Sequence, residues 1–247
     1  MALQSPNLLS LLFFLFSPLA TPLTFNFPSF SNGTNNISLE GEAYIGSQLI
    51  RLTRSLGENG NVGRATYREP FLLRENATGK LADFTTTFAF IIDSGHADGM
   101  VFFVAPNGSL LNSATGGGSK LSLPVEDLPG DISRTQHPFV AVEFDIFKNP
   151  VPTIKDPDGD HVGIDVNSLT SNITIPWNGI EEGKQNSARI SYNSSSKNLS
   201  VAFTSFQNGT NGTQVEVMRL LCIRLSHGIL LQLLWLMNPS QEMRMPI

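Results

Sequence analysis

The chain has 247 residues, 40% of them hydrophobic and only 15% charged, with 21 Gly, 15 Pro and one Cys. Its 16 Lys+Arg against 21 Asp+Glu give a net charge of −5, which leaves no basic footing for DNA or RNA. The lone Cys222 excludes a disulfide framework and a cysteine-based zinc cluster, while the 17 Phe and many aliphatic residues argue against disorder.

Residues 1–22 read as a leader peptide. Leu8 to Leu19 is an apolar run, LLSLLFFLFSPL, too short to span a bilayer, and cleavage is expected between Ala20 and Thr24. Secretion agrees with nine N-x-[ST] sequons, whose acceptors are Asn32, Asn36, Asn76, Asn107, Asn172, Asn193, Asn198, Asn208 and Asn211.

From Leu23 to about Val217 the text reads as short strands between turns. Phe84, Phe88, Phe90 and Ile92 share one parity, and Met100–Val104 is an apolar run closed by the turn signal Pro106-Asn107-Gly108. Val140, Val142, Phe144 and Ile146 share one strand face; so do Val162, Ile164 and Val166, and then Leu199, Val201 and Phe203. No segment here has a helical period of useful length. The expected fold is all-β, a two-sheet antiparallel sandwich or jelly roll, over residues 23–217.

Past Val217 the composition changes. Residues 218–247 hold four of the six Met, the only Cys and no sequon, and their leucines crowd together without obvious alternation. Arg219, Arg224 and His227 interrupt the run, so it is too short and too charged to cross a membrane.

The segment Phe139–Asn149 carries the most chemistry. Glu143, Asp145, Phe147 and Asn149 share a parity opposite to the apolar Val140, Val142, Phe144 and Ile146. Two carboxylates side by side on a strand repel unless a cation or proton lies between them. Asp156-Pro-Asp-Gly-Asp-His161 follows within one loop, which adds carboxylates and an imidazole. Oxygen ligands suit Ca²⁺, and imidazole with carboxylates suits Mn²⁺. Spacing alone leaves two readings open, a pair of neighbouring metals and a solvated acidic loop.

Two competing motifs fail on their residues. An EF-hand starting at Asp156 would need Gly at its sixth position and Glu at its twelfth, where His161 and Asn167 stand. A sandwich glycosidase with the pattern Glu-x-Asp-x-x-Glu would place its second carboxyl at Lys148. An enzyme is disfavoured.

Six segments together resemble the legume lectin family, most closely the ectodomains of plant lectin receptor kinases. They are Phe25-Asn-Phe27, Val62-Gly-Arg-Ala-Thr-Tyr67, Asp83-Phe-Thr-Thr-Thr-Phe88, Ala97-Asp-Gly-Met-Val-Phe-Phe103, Val142-Glu-Phe-Asp145 and His161-Val-Gly-Ile-Asp-Val-Asn-Ser168. The resemblance implies a concanavalin-like β-sandwich that binds a glycan beside Ca²⁺ and Mn²⁺. It implies Glu143 and His161 as Mn²⁺ ligands, Asp145 and Asp156 as bridging carboxylates, and the Phe147 carbonyl and Asn149 side chain as Ca²⁺ ligands. Asp158 and Asp160 take no such role and read as solvated loop charges. For the sugar it implies Asp98 as acceptor after a cis Ala97–Asp98 peptide, Asn149 as donor, the Phe147 ring for stacking, and an N–H from Gly117 or Gly118.

The family's closing strand has no counterpart in residues 218–247, so the resemblance reads this chain as C-terminally truncated or aberrant, with an atypical tail. The implied location is extracellular, or the outer face of the plasma membrane for a receptor kinase; a homodimer is open. The alternative is a vestigial lectin ectodomain that works through protein–protein or small apolar ligand contact.

Overall fold

The computed structural model describes residues 23–54, 61–71, 73, 81–92, 98–109, 118–125, 138–150, 154–179, 184–208, 214–225 and 243–244. In chain order the strands are β1 (Ile37–Gly41), β2 (Tyr44–Gly46), β3 (Leu49–Arg51), β4 (Gly63–Tyr67), β5 (Phe84–Phe90), β6 (Gly99–Pro106), β7 (Val140–Asp145), β8 (His161–Val166), β9 (Ile173–Pro176), β10 (Asn186–Asn193), β11 (Asn198–Asn208), β12 (Gln214–Arg224) and β13 (Met243–Arg244). A single 3₁₀ turn, Gly118–Lys120, is the one helical element among the described residues.

The expected sandwich is present. A five-stranded sheet in the order β13-β6-β7-β8-β9 faces a four-stranded sheet in the order β12-β11-β10-β5, and every pairing is antiparallel. Side-chain alternation decides what lies between them. Phe102, Val104, Val140, Val142, Phe144, Val162, Ile164 and Val166 meet Ala188, Ile190, Tyr192, Leu199, Val201, Phe203, Leu221 and Leu225 in one buried cluster. These include the three sets of shared parity expected for β7, β8 and β11. Phe144 sits at the centre, edge-on to Trp177 at 5.4 Å and to Phe203 at 6.1 Å between ring centroids. Full burial of a side chain of this size contributes roughly 1.5–3 kcal/mol.

The five-stranded sheet is covered on its other face too. Phe103, Ala105, Phe139 and Ala141 pack there against Leu123, Val125, Ile154 and Leu169 from the loops. That is why all six residues of β7 and all six of β8 are buried. A small third cluster joins two of the sequence segments quoted above: Phe25 stacks on Tyr67 of β4 with centroids 4.2 Å apart.

One element runs further than its composition indicated. The change at Val217 falls inside β12, which stays paired with β11 through Asn198↔Arg224. The leucines that lacked obvious alternation resolve by parity. Leu221 and Leu225 are buried in the main core with Ile223 packed on it, whereas Met218 and Leu220 point outward.

Candidate functional site

Register builds the site from three cross-strand rows on the loop-covered face of the five-stranded sheet. Gly99, Asp145 and His161 lie side by side; next come Val101, Glu143 and Gly163, then Phe103, Ala141 and Asp165. The face is apolar at one end and turns acidic at the other, so the strands that complete the core also present the carboxylates.

Glu143, Asp145 and His161 offer ligand atoms that all lie within 4.8 Å of one another, and each residue is buried. His161 Nδ1 lies 3.3 Å from the Gly159 carbonyl, which can only accept, so Nδ1 carries a hydrogen. Nε2 then faces Glu143 Oε1 at 3.2 Å. A bare lone pair against a carboxylate is repulsive, so this geometry calls for a proton on Nε2 or a cation shared by the two. The donor set of one imidazole and two carboxylates fits a transition-metal ion such as Mn²⁺.

Electrostatics agree. Burial, reinforced by the charges of Glu143 and Asp156, pushes Asp145 up to about 7 against the pull of the Phe147 N–H and His161. Burial lowers His161, but its hydrogen bond to Glu143 and the charges of Glu143 and Asp145 reverse this and raise it overall. Buried charges of this kind are normally paired or hold a metal.

Asp156 stands outside the three-residue group, yet it is close enough for its charge to act on Asp145. Its Oδ2 accepts the Asn149 N–H at 2.8 Å, and Asp145 Oδ1 accepts the Phe147 N–H at 2.7 Å. The loop carrying both expected sugar-contacting residues is therefore suspended from the carboxylates. Asn149 is buried, while Phe147 is 47% exposed and offers its ring outward. Asp158 is solvent-exposed and paired with Lys148 at 2.5 Å, in keeping with a loop charge, and the Asp160 carbonyl accepts the Trp177 N–H at 2.9 Å.

Asp98 precedes β6 at the same end of the sheet, where its carbonyl accepts the Ile146 N–H at 3.0 Å. Partial burial raises its carboxyl above the usual range. Gly99 beside it has φ +150°, and a Cβ there would run into the Phe144 carbonyl. Gly118 opens the 3₁₀ turn. Gly117, and the Ala97–Asp98 peptide through Ala97, lie outside the described residues. Among the acceptor asparagines, Asn32, Asn36, Asn172 and Asn193 are exposed and Asn107 and Asn198 half-buried; Asn76 and Asn211 lie outside the described residues, and Asn208 closes β11.

Three supporting residues had no role assigned from the sequence. Asp165 is fully buried, and burial, then the neighbouring Glu143 charge, pushes its carboxyl well above the usual range. Ser171 Oγ sits 2.5 Å from both Glu143 Oε1 and Asp165 Oδ1. One hydroxyl carries one proton, so a neutral Asp165 donates to Ser171 while Ser171 donates to Glu143, fixing the Glu143 carboxylate in place. Gly163 makes room, since a Cβ there would overlap Ser171 Oγ and Glu143 Oε1. The parity of Asp165 with His161 was a usable signal; Ser171 arrives from a loop and had none.

Comparison with known proteins agrees with this geometry. The model of the legume lectin domain matches residues 22–227. A galactose-binding lectin of Arachis hypogaea is 39% identical over 206 residues, covering 81% of this chain and 71% of that protein. The structure of peanut lectin with a nine-residue peptide superposes with a TM-score of 0.69 at 34% identity, covering 90% of this chain and 86% of that one. Lectin I of Ulex europaeus, in complex with the methyl glycoside of α-L-fucose, gives 0.67 at 27% identity, over 91% and 88% of the two chains. On fold, site and likeness together, the chain belongs to the legume lectin family.

Proposed function

We propose that this chain is a secreted, non-enzymatic carbohydrate-binding module whose sugar loop is set by bound Ca²⁺ and Mn²⁺. The observation that carries the reading is the suspension of the Phe147–Asn149 loop from Asp145 and Asp156 beside the buried Glu143–Asp145–His161 group. Glu143, Asp145, Asp156 and His161 would hold Mn²⁺, and Asp145, Asp156, Asn149 and the Phe147 carbonyl would hold Ca²⁺. The ions supply positive charge that keeps the carboxylates ionised and the loop fixed.

The chain's own groups then meet the sugar. The Asp98 carboxylate accepts from sugar hydroxyls, the Asn149 amide donates to one, and the exposed Phe147 ring covers an apolar sugar face. An N–H from Gly117 or Gly118 completes the set. The two glycan-related likenesses above make galactose and methyl α-L-fucoside the first ligands to try. The same reading places the chain in the secretory pathway with glycans on its exposed sequons, as the ectodomain of a plant receptor-like kinase, and assembled as a homodimer.

The test is calorimetric titration of both sugars with Ca²⁺ and Mn²⁺ present. Asp98→Ala and Asn149→Ala should each abolish binding while circular dichroism stays unchanged. Undiminished binding by either variant would remove that residue from the site.

A further inference from the structure

Three contacts hold the segment from Phe147 to Asn149, and each is made by an aspartate. Two are main-chain bonds, from the Phe147 N–H to Asp145 Oδ1 at 2.7 Å and from the Asn149 N–H to Asp156 Oδ2 at 2.8 Å. The third runs through a side chain: Lys148 Nζ donates to Asp158 Oδ1 at 2.5 Å. Asp145 and Asp156 belong to the set proposed to hold cations, so their oxygens would serve both the loop and the ions. Lys148 and Asp158 stand outside that set, and their bond serves the loop alone.

An exposed ion pair commonly contributes little, because two side chains must be ordered in water to make it. Lys148 is 56% and Asp158 93% exposed, so burial gives this pair no help. What sets it apart is the backbone on either side. Asp158 follows Pro157, whose ring fixes φ, and precedes Gly159, whose carbonyl lies 3.3 Å from His161 Nδ1. Lys148 stands between two residues whose own N–H groups are tied. Both main chains are therefore set before the side chains meet, and the ordering cost falls mainly on the Lys148 side chain.

We propose that Lys148 and Asp158 are positioning residues, whose ion pair draws the Phe147–Asn149 loop against the loop of residues 156–161. Lys148 lies between the two side chains expected to meet the sugar, so a shift of its backbone moves both the Phe147 ring and the Asn149 amide. The proposal rests on the reading that this loop contacts the sugar.

Two measurements on the full chain, saturated with Ca²⁺ and Mn²⁺, test it. The first is calorimetric titration with galactose and methyl α-L-fucoside, both uncharged, so no charge on the ligand contributes. Lys148→Asp and Asp158→Lys should each weaken binding about three- to fivefold. The combined variant rebuilds the pair in reverse and should restore affinity, as should the conservative Lys148→Arg; a general disturbance of the loop would not be repaired this way. Raising the salt concentration to about 1 M should weaken binding by the unaltered protein and leave Lys148→Met indifferent.

The second measurement needs no sugar. Amide hydrogen exchange read by mass spectrometry over the peptide containing Phe147 and Asn149 should be several-fold faster in Lys148→Asp and Asp158→Lys, and slow again in the combined variant. Exchange that ignores the single reversals, or that the combined variant fails to slow, overturns the proposal. So does faster exchange with sugar affinity unchanged, which would leave the pair holding the loop without positioning it. If the unaltered protein binds neither sugar, the reading of the loop as a sugar contact fails for these ligands and with it the positioning role, while exchange still decides whether the pair holds the loop.

Discussion

Chelation at varied pH distinguishes a cluster built for a cation from one that is merely buried. Asp145 is only 2% exposed, and burial is the first cause of its rise to about 7. An ordinary aspartate ionises near 3.9, so keeping Asp145 charged above about pH 7 costs the cation-free fold about 4 kcal/mol. The folded state binds the extra proton. This contribution is therefore fully present below about pH 4 and is lost as pH rises through about 7. His161 acts with the same sign: its raised value gives stability at low pH that disappears as pH climbs past it. A bound divalent cation favours ionised carboxylates and neutral imidazole, and it removes the slope. In denaturant melts, protein treated with EDTA should lose about 4 kcal/mol between about pH 4 and pH 8. Protein saturated with Ca²⁺ and Mn²⁺ should not, so the gap between the two should widen steadily with pH. An equal gap at both ends of this range, or none at the alkaline end, would refute the assignment of these residues to a cation.

Two substitutions divide the roles further. Asp145→Asn keeps an oxygen for the Phe147 N–H but removes the buried charge; the cation-free protein should gain up to about 4 kcal/mol above about pH 7 while losing its response to metal, read by melts with and without EDTA. Gly163→Ala forces a methyl group onto Ser171 Oγ and Glu143 Oε1, so it should cost about 1–3 kcal/mol and weaken Mn²⁺ binding, measured by urea midpoint and by metal titration.

Strands of clean alternation were legible from the sequence because one face of each had to enter the sandwich. Val140, Val142 and Phe144 could face nothing but a core, which sent Glu143 and Asp145 to the opposite face. What spacing could not supply was register. That His161 stands beside Asp145, and Gly163 beside Glu143, depends on how β8 pairs with β7. Ser171 was hidden for a related reason, since it reaches Glu143 from a loop that leaves no periodic trace. At β12 the difficulty was different. Leu220 and Leu221 are adjacent in the chain, so crowded leucines obscured a strand whose alternate residues enter the core and leave it. A change in composition marks a change in what the strand faces, and here the pairing continued through it.

Parity also separates the stability of the fold from the readiness of the site. The even-numbered residues of β7 and β8 fill the main core and need no ion. The odd-numbered residues Glu143, Asp145 and His161 are just as buried, and among the described residues the ion-pair partner of Glu143 is His161, whose single charge cannot balance two carboxylates. Asp156 adds a third negative charge nearby. With no cation bound, the sandwich therefore keeps its hydrophobic reason to fold but holds surplus negative charge at one end. That end is where Asp145 and Asp156 accept the N–H groups of Phe147 and Asn149. Protonating a carboxylate weakens the acceptor, and repulsion among ionised carboxylates spreads it, so either change alters the loop before it alters the core. Sugar affinity should thus respond to pH and chelation under conditions where the sandwich itself remains folded.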